Sequence, residues 1–161
     1  MYKVTKEFNF EMGHKLDGHQ GKCSNYHGHN YRLLVTLKCE ETNSMDMVMD
    51  FYDLNNIVKP MLEDWDHASA INTKAKGQFE KDFYELLIKH HKKVLELPMR
   101  TTAENMAKYF YDKIQEGIDN LYKQSPTVVK GVRCYSGDTI WVDKVVVYET
   151  PTSCAEYSEN E

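Results

Sequence analysis

The sequence predicts an α+β fold, and three patterns predict it. Two N-terminal segments alternate apolar and polar residues with a period of two. Three middle segments carry apolar stripes at helical spacing. A valine-rich run returns near the C-terminus. Strands, then helices, then strands read as an antiparallel sheet with helices packed on one face. At 161 residues the chain is long enough for one domain with its own core, so residues 1–161 are expected to form a single unit.

The first strand is set by Val4, Phe8, Phe10 and Met12 on one parity and Lys3, Thr5, Glu7, Asn9 and Glu11 on the other. His14 continues the apolar parity. Tyr31, Leu33, Val35 and Leu37 define the second strand, with Asn30, Arg32, Thr36 and Lys38 opposite. His27 and His29 extend its apolar face. Side chains two apart on a strand point the same way. An antiparallel pairing through the loop Lys15–Tyr26 would therefore bring His14, His27 and His29 together.

Helical stripes follow. Leu54, Ile57, Val58, Met61 and Leu62 predict a helix from Asp50 to about Leu62, with Pro60 as a kink or early stop. Phe79, Phe83, Leu86, Leu87, His90 and Val94 predict a second, ended by Pro98. Thr101-Thr102-Ala103-Glu104 reads as a capping box opening a third, whose stripe is Ala103, Met106, Ala107, Phe110, Ile114 and Ile118. Val128–Tyr135 and Thr139–Glu149 read as closing strands joined by Ser136-Gly137-Asp138. The acidic stretch Ala155–Glu161 reads as a frayed tail.

A formal charge of −5 argues against a general nucleic-acid or anionic-membrane binder. No apolar run approaches a membrane span, and MYKVTKEFNF carries no apolar leader. Cys23, Cys39, Cys134 and Cys154 are far apart with no CxxC pair, which suits reduced thiols and a cytoplasmic location.

The stretch CSNYHGHNY holds the chemistry. Neutral imidazole suits Zn²⁺. Three protein ligands leave one position of a tetrahedral shell open, as catalytic zinc sites do. His14, His27 and His29 are the candidate ligands. Cys23 is a fourth ligand, an inert thiol or a proton-transfer group, and an open shell favours the last. Asp66-His67 offers a carboxylate beside an imidazole, a weak signal alone. Glu149 ends a valine strand either as a solvated charge or as an acceptor for a donor-rich ligand edge. For Glu104 the capping box is the simpler explanation. His19, His90 and His91 read as surface residues.

EFNFEMGHKL, CSNYHGHNY, MVMDF, DHASAIN, TTAEN and VYETPTSCAEY, in that order, resemble the 6-pyruvoyltetrahydropterin synthase family. The four-residue step from Cys23 to His27 and the ending ETPTSCAEY are similar to its carboxytetrahydropterin-forming branch. Cys154 stands where tryptophan is usual, Trp65 where leucine is usual, and residues 73–96 look like an added helix. The resemblance implies the tunnelling fold, a four-stranded antiparallel sheet joined between subunits into a barrel, as a trimer or a dimer of trimers with sites between subunits. It implies zinc held by His14, His27 and His29, and Cys23, Asp66 and His67 in proton transfer. It implies a pterin substrate bound by Glu149, with Glu104 a second contact. The implied reaction takes 7,8-dihydroneopterin triphosphate to 6-carboxytetrahydropterin, acetaldehyde and triphosphate, a step of queuosine and deazapurine biosynthesis. The pyruvoyl-forming relative is the alternative, and a non-catalytic zinc protein a more distant one.

Overall fold

In the computed structural model, residues 1–124 and 140–159 are described. A sheet of strand order β4-β3-β1-β2-β5-β6 is backed by helices. Its centre is β1 (Tyr2–His14) and β2 (His27–Cys39), antiparallel over their whole length from Tyr2 opposite Cys39 to His14 opposite His27. β5 (Ile140–Thr150) runs antiparallel to β2, and β6 (Ser153–Tyr157) antiparallel to β5.

On the other side, β3 (Ala68–Asn72) and β4 (Val94–Leu97) add in parallel. The sheet is therefore six-stranded and mixed, not four-stranded and antiparallel. The two parallel strands are short, and β3 meets β1 at only two positions, Met12 with Ala68 and Gly13 with Ser69. Segments that short carry too few residues to show a period. The tail expected to fray from Ala155 instead pairs through Tyr157 as β6. The strand expected at Val128–Tyr135 and its turn lie outside the described residues.

Two helices cover one face. α1 (Phe51–Trp65) starts at Asp50, whose carboxylate accepts from the Tyr52 amide. It runs through Pro60 and buries Leu54, Val58, Leu62 and Trp65. α3 (Ala103–Gln124) buries Met106, Ala107, Phe110, Ile114 and Ile118. Against them stand Phe8, Phe10 and Met12 of β1, Tyr31, Leu33, Val35 and Leu37 of β2, and Val142, Val145 and Val147 of β5. Phe10 stacks on Tyr31 at 4.9 Å and meets Trp65 and Phe110 edge-on. So Trp65 is an aromatic anchor of the core.

α2 (Gln78–Lys89) lies within the stretch expected as an added helix. It ends before the predicted Val94, which belongs to β4, and none of its residues is buried. Among the described residues no helix is long and apolar enough to cross a membrane.

Candidate active site

The register of β1 and β2 builds the site. His14 faces His27 across the ladder, and Met12 faces His29, so the three imidazoles share the helix-covered face at one end of the sheet. Their ring centroids lie 4.6 to 5.3 Å apart, and their ligand atoms fall within 4.8 Å of one another.

The outer nitrogens are held. His14 Nδ1 lies 3.0 Å from the Thr101 carbonyl and 3.0 Å from its hydroxyl, while His27 Nδ1 lies 2.8 Å from the Asn25 carbonyl. A carbonyl accepts only, so each Nδ1 carries the proton and each Nε2 keeps its lone pair. Those two Nε2 atoms face each other at 3.2 Å, close to the roughly 3.3 Å edge of a tetrahedron with metal–nitrogen bonds near 2.05 Å. Two lone pairs so close repel unless a cation lies between them. The residues therefore fit a metal, and they fit zinc by donor type. The Glu149 main chain hydrogen-bonds the third ring, His29. Such partners fix ring orientation at metal sites.

Burial, then the neighbouring His27 and His29, hold His14 down to about 4, so its ring is neutral at pH 7. His29 is lowered for the same reasons, burial first. The Tyr31 hydroxyl lies 3.3 Å from His14 Nε2, and burial keeps it protonated.

Glu149 is raised, chiefly by burial and then by the Glu104 carboxylate, with His27 opposing. Glu149 thus sits within electrostatic reach of Glu104 and of the His27 imidazole. Thr102, not Thr101, caps α3: its carbonyl accepts from the Met106 amide and its hydroxyl from the Asn105 amide. The cap is shifted by one residue, which leaves Thr101 to hold His14, with Glu104 within electrostatic reach of Glu149. Cys23 sits in a short 3-10 turn, Lys22–Ser24, half-buried and outside the three-imidazole cluster, within electrostatic reach of the Tyr31 hydroxyl.

Asp66 and His67 do not join this group within one chain. His67 Nδ1 lies 2.8 Å from Asp66 Oδ2, its Nε2 3.5 Å from Glu11 Oε2, and Glu11 pairs with Asn30. Glu11 and Asn30 have the parity opposite to Met12 and His29, so this dyad belongs to the uncovered face, beside a cleft of 440 Å³. Asp66 is held below the usual carboxylate range, first by the Glu11 amide and then by His67. His67 has φ +56° and a side chain 70% exposed. Thr101, Tyr31, Asn25 and Glu11 escaped the sequence reading because main-chain contacts and hydroxyl partners have no periodic signal. The spare threonine in Thr101-Thr102 was the one usable hint.

With this geometry in view, the chain matches the 6-pyruvoyl tetrahydropterin synthase family over residues 3–160. It belongs to that family. The 6-carboxy-5,6,7,8-tetrahydropterin synthase of Haemophilus influenzae is 34% identical over 163 residues, covering 99% of this chain and 100% of that one. The protein of the same description from Aquifex aeolicus is 32% identical, covering 98% of each. Among solved structures, an uncharacterized protein of Wolinella succinogenes gives a TM-score of 0.75 at 20% identity, covering 99% of this chain and 98% of that one. The Plasmodium vivax 6-pyruvoyltetrahydropterin synthase gives 0.70 at 16% identity, with the same coverage. These structures share the fold. The chain is thus an enzyme of this pterin synthase family.

The raised Glu149 carboxyl has a measurable sign. A carboxyl whose folded value exceeds its unfolded one favours the fold below the ordinary value of 4.5, and that contribution is lost as pH rises through the folded value. Glu149→Gln is therefore expected to melt above the parent at pH 7, with the gap closing as the pH is lowered towards 4.5. Paired melting curves at the two pH values check this; a variant less stable at pH 7 contradicts the reading.

Proposed function

We propose that the protein is a zinc-dependent lyase that converts 7,8-dihydroneopterin triphosphate and water to 6-carboxy-5,6,7,8-tetrahydropterin, acetaldehyde and triphosphate. The observation that carries this is the convergence of His14, His27 and His29, with the proton-bearing nitrogens of His14 and His27 turned away onto carbonyls. The near-full-length likeness to proteins described as 6-carboxytetrahydropterin synthases favours the carboxylated product over the pyruvoyl one.

Zinc bound by the three imidazoles would acidify the substrate's side-chain hydroxyls and polarise its carbonyls. Glu149 accepts from the 2-amino group and the adjacent ring N–H of the pterin, two donors to one carboxylate. Binding relieves its cost of burial beside Glu104. Cys23 Sγ takes a carbon-bound proton on one side of the substrate. His67 exchanges a proton through Nε2 on the other, while Asp66 holds its Nδ1–H. Because His67 faces away from the cluster within its own chain, the complete site draws on a second copy, which favours a homo-oligomer built as a trimer or a dimer of trimers. Reduced thiols at Cys23, Cys39 and Cys154 suit the cytoplasm. The product would enter the queuosine and deazapurine route.

Incubation with dihydroneopterin triphosphate and analysis of the products tests this. Equimolar acetaldehyde and carboxypterin are expected. A pyruvoyl pterin without acetaldehyde would assign the other branch, and no turnover of the metal-loaded protein would end the proposal.

A further inference from the structure

α2 contributes nothing to the buried core, yet Phe79, Glu80 and Phe83 converge on Lys15 and Tyr26 of the loop between β1 and β2. Glu80 forms an ion pair with Lys15, and the Lys15 ammonium also lies 4.6 Å from the Phe79 ring centre. Phe79 stacks on Phe83, and Phe83 packs on Tyr26 at 4.8 Å between ring centroids. Tyr84 donates to Glu96 of β4, which ties the helix to the sheet edge.

Both gripped residues flank the thiol. Lys15 precedes Leu16, whose amide donates to the Cys23 carbonyl at 2.8 Å. Tyr26 follows Cys23 by three positions and precedes the ligand His27. Its hydroxyl donates to Ser69 Oγ at 2.6 Å, and its ring lies across Gly13, the residue before His14, where a Cβ would come within 2.2 Å of Tyr26 Oη. The loop carrying Cys23 is therefore pinned on either side of the thiol to one exposed helix.

We infer that α2 is a brace, and that Phe83 and Glu80 are positioning residues that set the Cys23 thiol against the imidazole cluster. This rests on the proposed role of Cys23 in proton transfer. The brace acts on alignment and not on ligation, because the ligand histidines are held by the β1–β2 ladder, Thr101 and Asn25 without α2. It is also separable from stability, because α2 places no residue in the core.

The test is Phe83→Ala in the full-length metal-loaded protein, with Phe83→Leu as the conservative control and Glu80→Gln as a milder variant. For Phe83→Ala, kcat should fall about 10-fold or more while KM stays within about 3-fold. Metal content and melting temperature should stay near the parent's. Alkylation of Cys23 by iodoacetamide, followed by peptide mass spectrometry, should accelerate about 5-fold relative to the exposed Cys154. Phe83→Leu should restore most of the rate, and Glu80→Gln should move both readouts the same way by less. Unchanged kcat and unchanged Cys23 alkylation would overturn the brace. So would a rate loss that tracks metal loss or a lowered melting temperature and is not rescued by leucine. If Cys23→Ala itself keeps full turnover, the catalytic reading of the thiol fails, while the alkylation ratio still decides whether α2 holds the loop.

Discussion

Replacing His27 by alanine is expected to strip the proposed zinc and end turnover while leaving the fold in place. His27 Nε2 stands 3.2 Å from His14 Nε2, and its ring is within 4.9 Å of His29, so it touches both other ligands of the cluster. Without it, two imidazoles remain, too few for a catalytic zinc site. Loss of a partner behind a ligand typically costs 10–100-fold in metal affinity, and loss of the ligand itself should exceed about 10²-fold. Turnover should fall by about 10⁴-fold or more, since the charge stabilisation proposed for zinc goes with it. The protein should stay folded because the aromatic and aliphatic core of β1, β2, β5, α1 and α3 does not include the three histidines. Elemental analysis, circular dichroism and a product assay read the three outcomes together. One equivalent of tightly held metal in the variant would refute the assignment. Unfolding on chelation of the parent would instead make the metal structural.

Cys23→Ala should act differently: metal retained, turnover reduced by roughly 10²-fold or more. The thiol lies outside the three-imidazole cluster, so in the proposed mechanism its loss removes a proton acceptor and not a ligand. Lost metal would make it a ligand, and undiminished turnover would remove it from the mechanism. The same variant tests the division of the site between copies. His67→Ala should be inactive for its own reason, the loss of the imidazole that Asp66 orients at 2.8 Å. Because His67 and the cluster face opposite sides of one sheet, co-refolding the two impaired variants should yield mixed oligomers whose activity exceeds that of either variant alone. A site contained in one chain would regain none.

The parity of the first two strands was legible residue by residue. Phe10, Met12 and His14 are buried as alternation requires, and His27, His29 and Tyr31 continue the same face. β3 and β4 were not legible. ASAIN and VLEL are too short to show a period, and Val94 happened to fit the spacing of the helix before it. The start of α3 was misjudged by one residue because Thr101 and Thr102 are chemically equal as caps. The choice fell to Thr102 because Thr101 is buried behind His14. The last strand hid in an acidic, exposed segment whose pairing with β5 leaves Glu156 free to meet Lys144.

Alternation with a period of two is a property of the covalent chain, and the sequence by itself therefore determined that three imidazoles share a face and converge once their strands pair. It also determined the ordered motifs that carry family membership. Which face the helices cover, that Thr101 backs His14, that Glu104 comes within electrostatic reach of Glu149, and that His67 looks away from the three imidazoles were decided only by tertiary structure. Each of those depends on packing between segments far apart in the chain, as in the Glu11–Asp66 hydrogen bond, 55 residues apart, and the contact between His14 and Thr101, 87 apart. No local pattern encodes the free energy of such long-range packing.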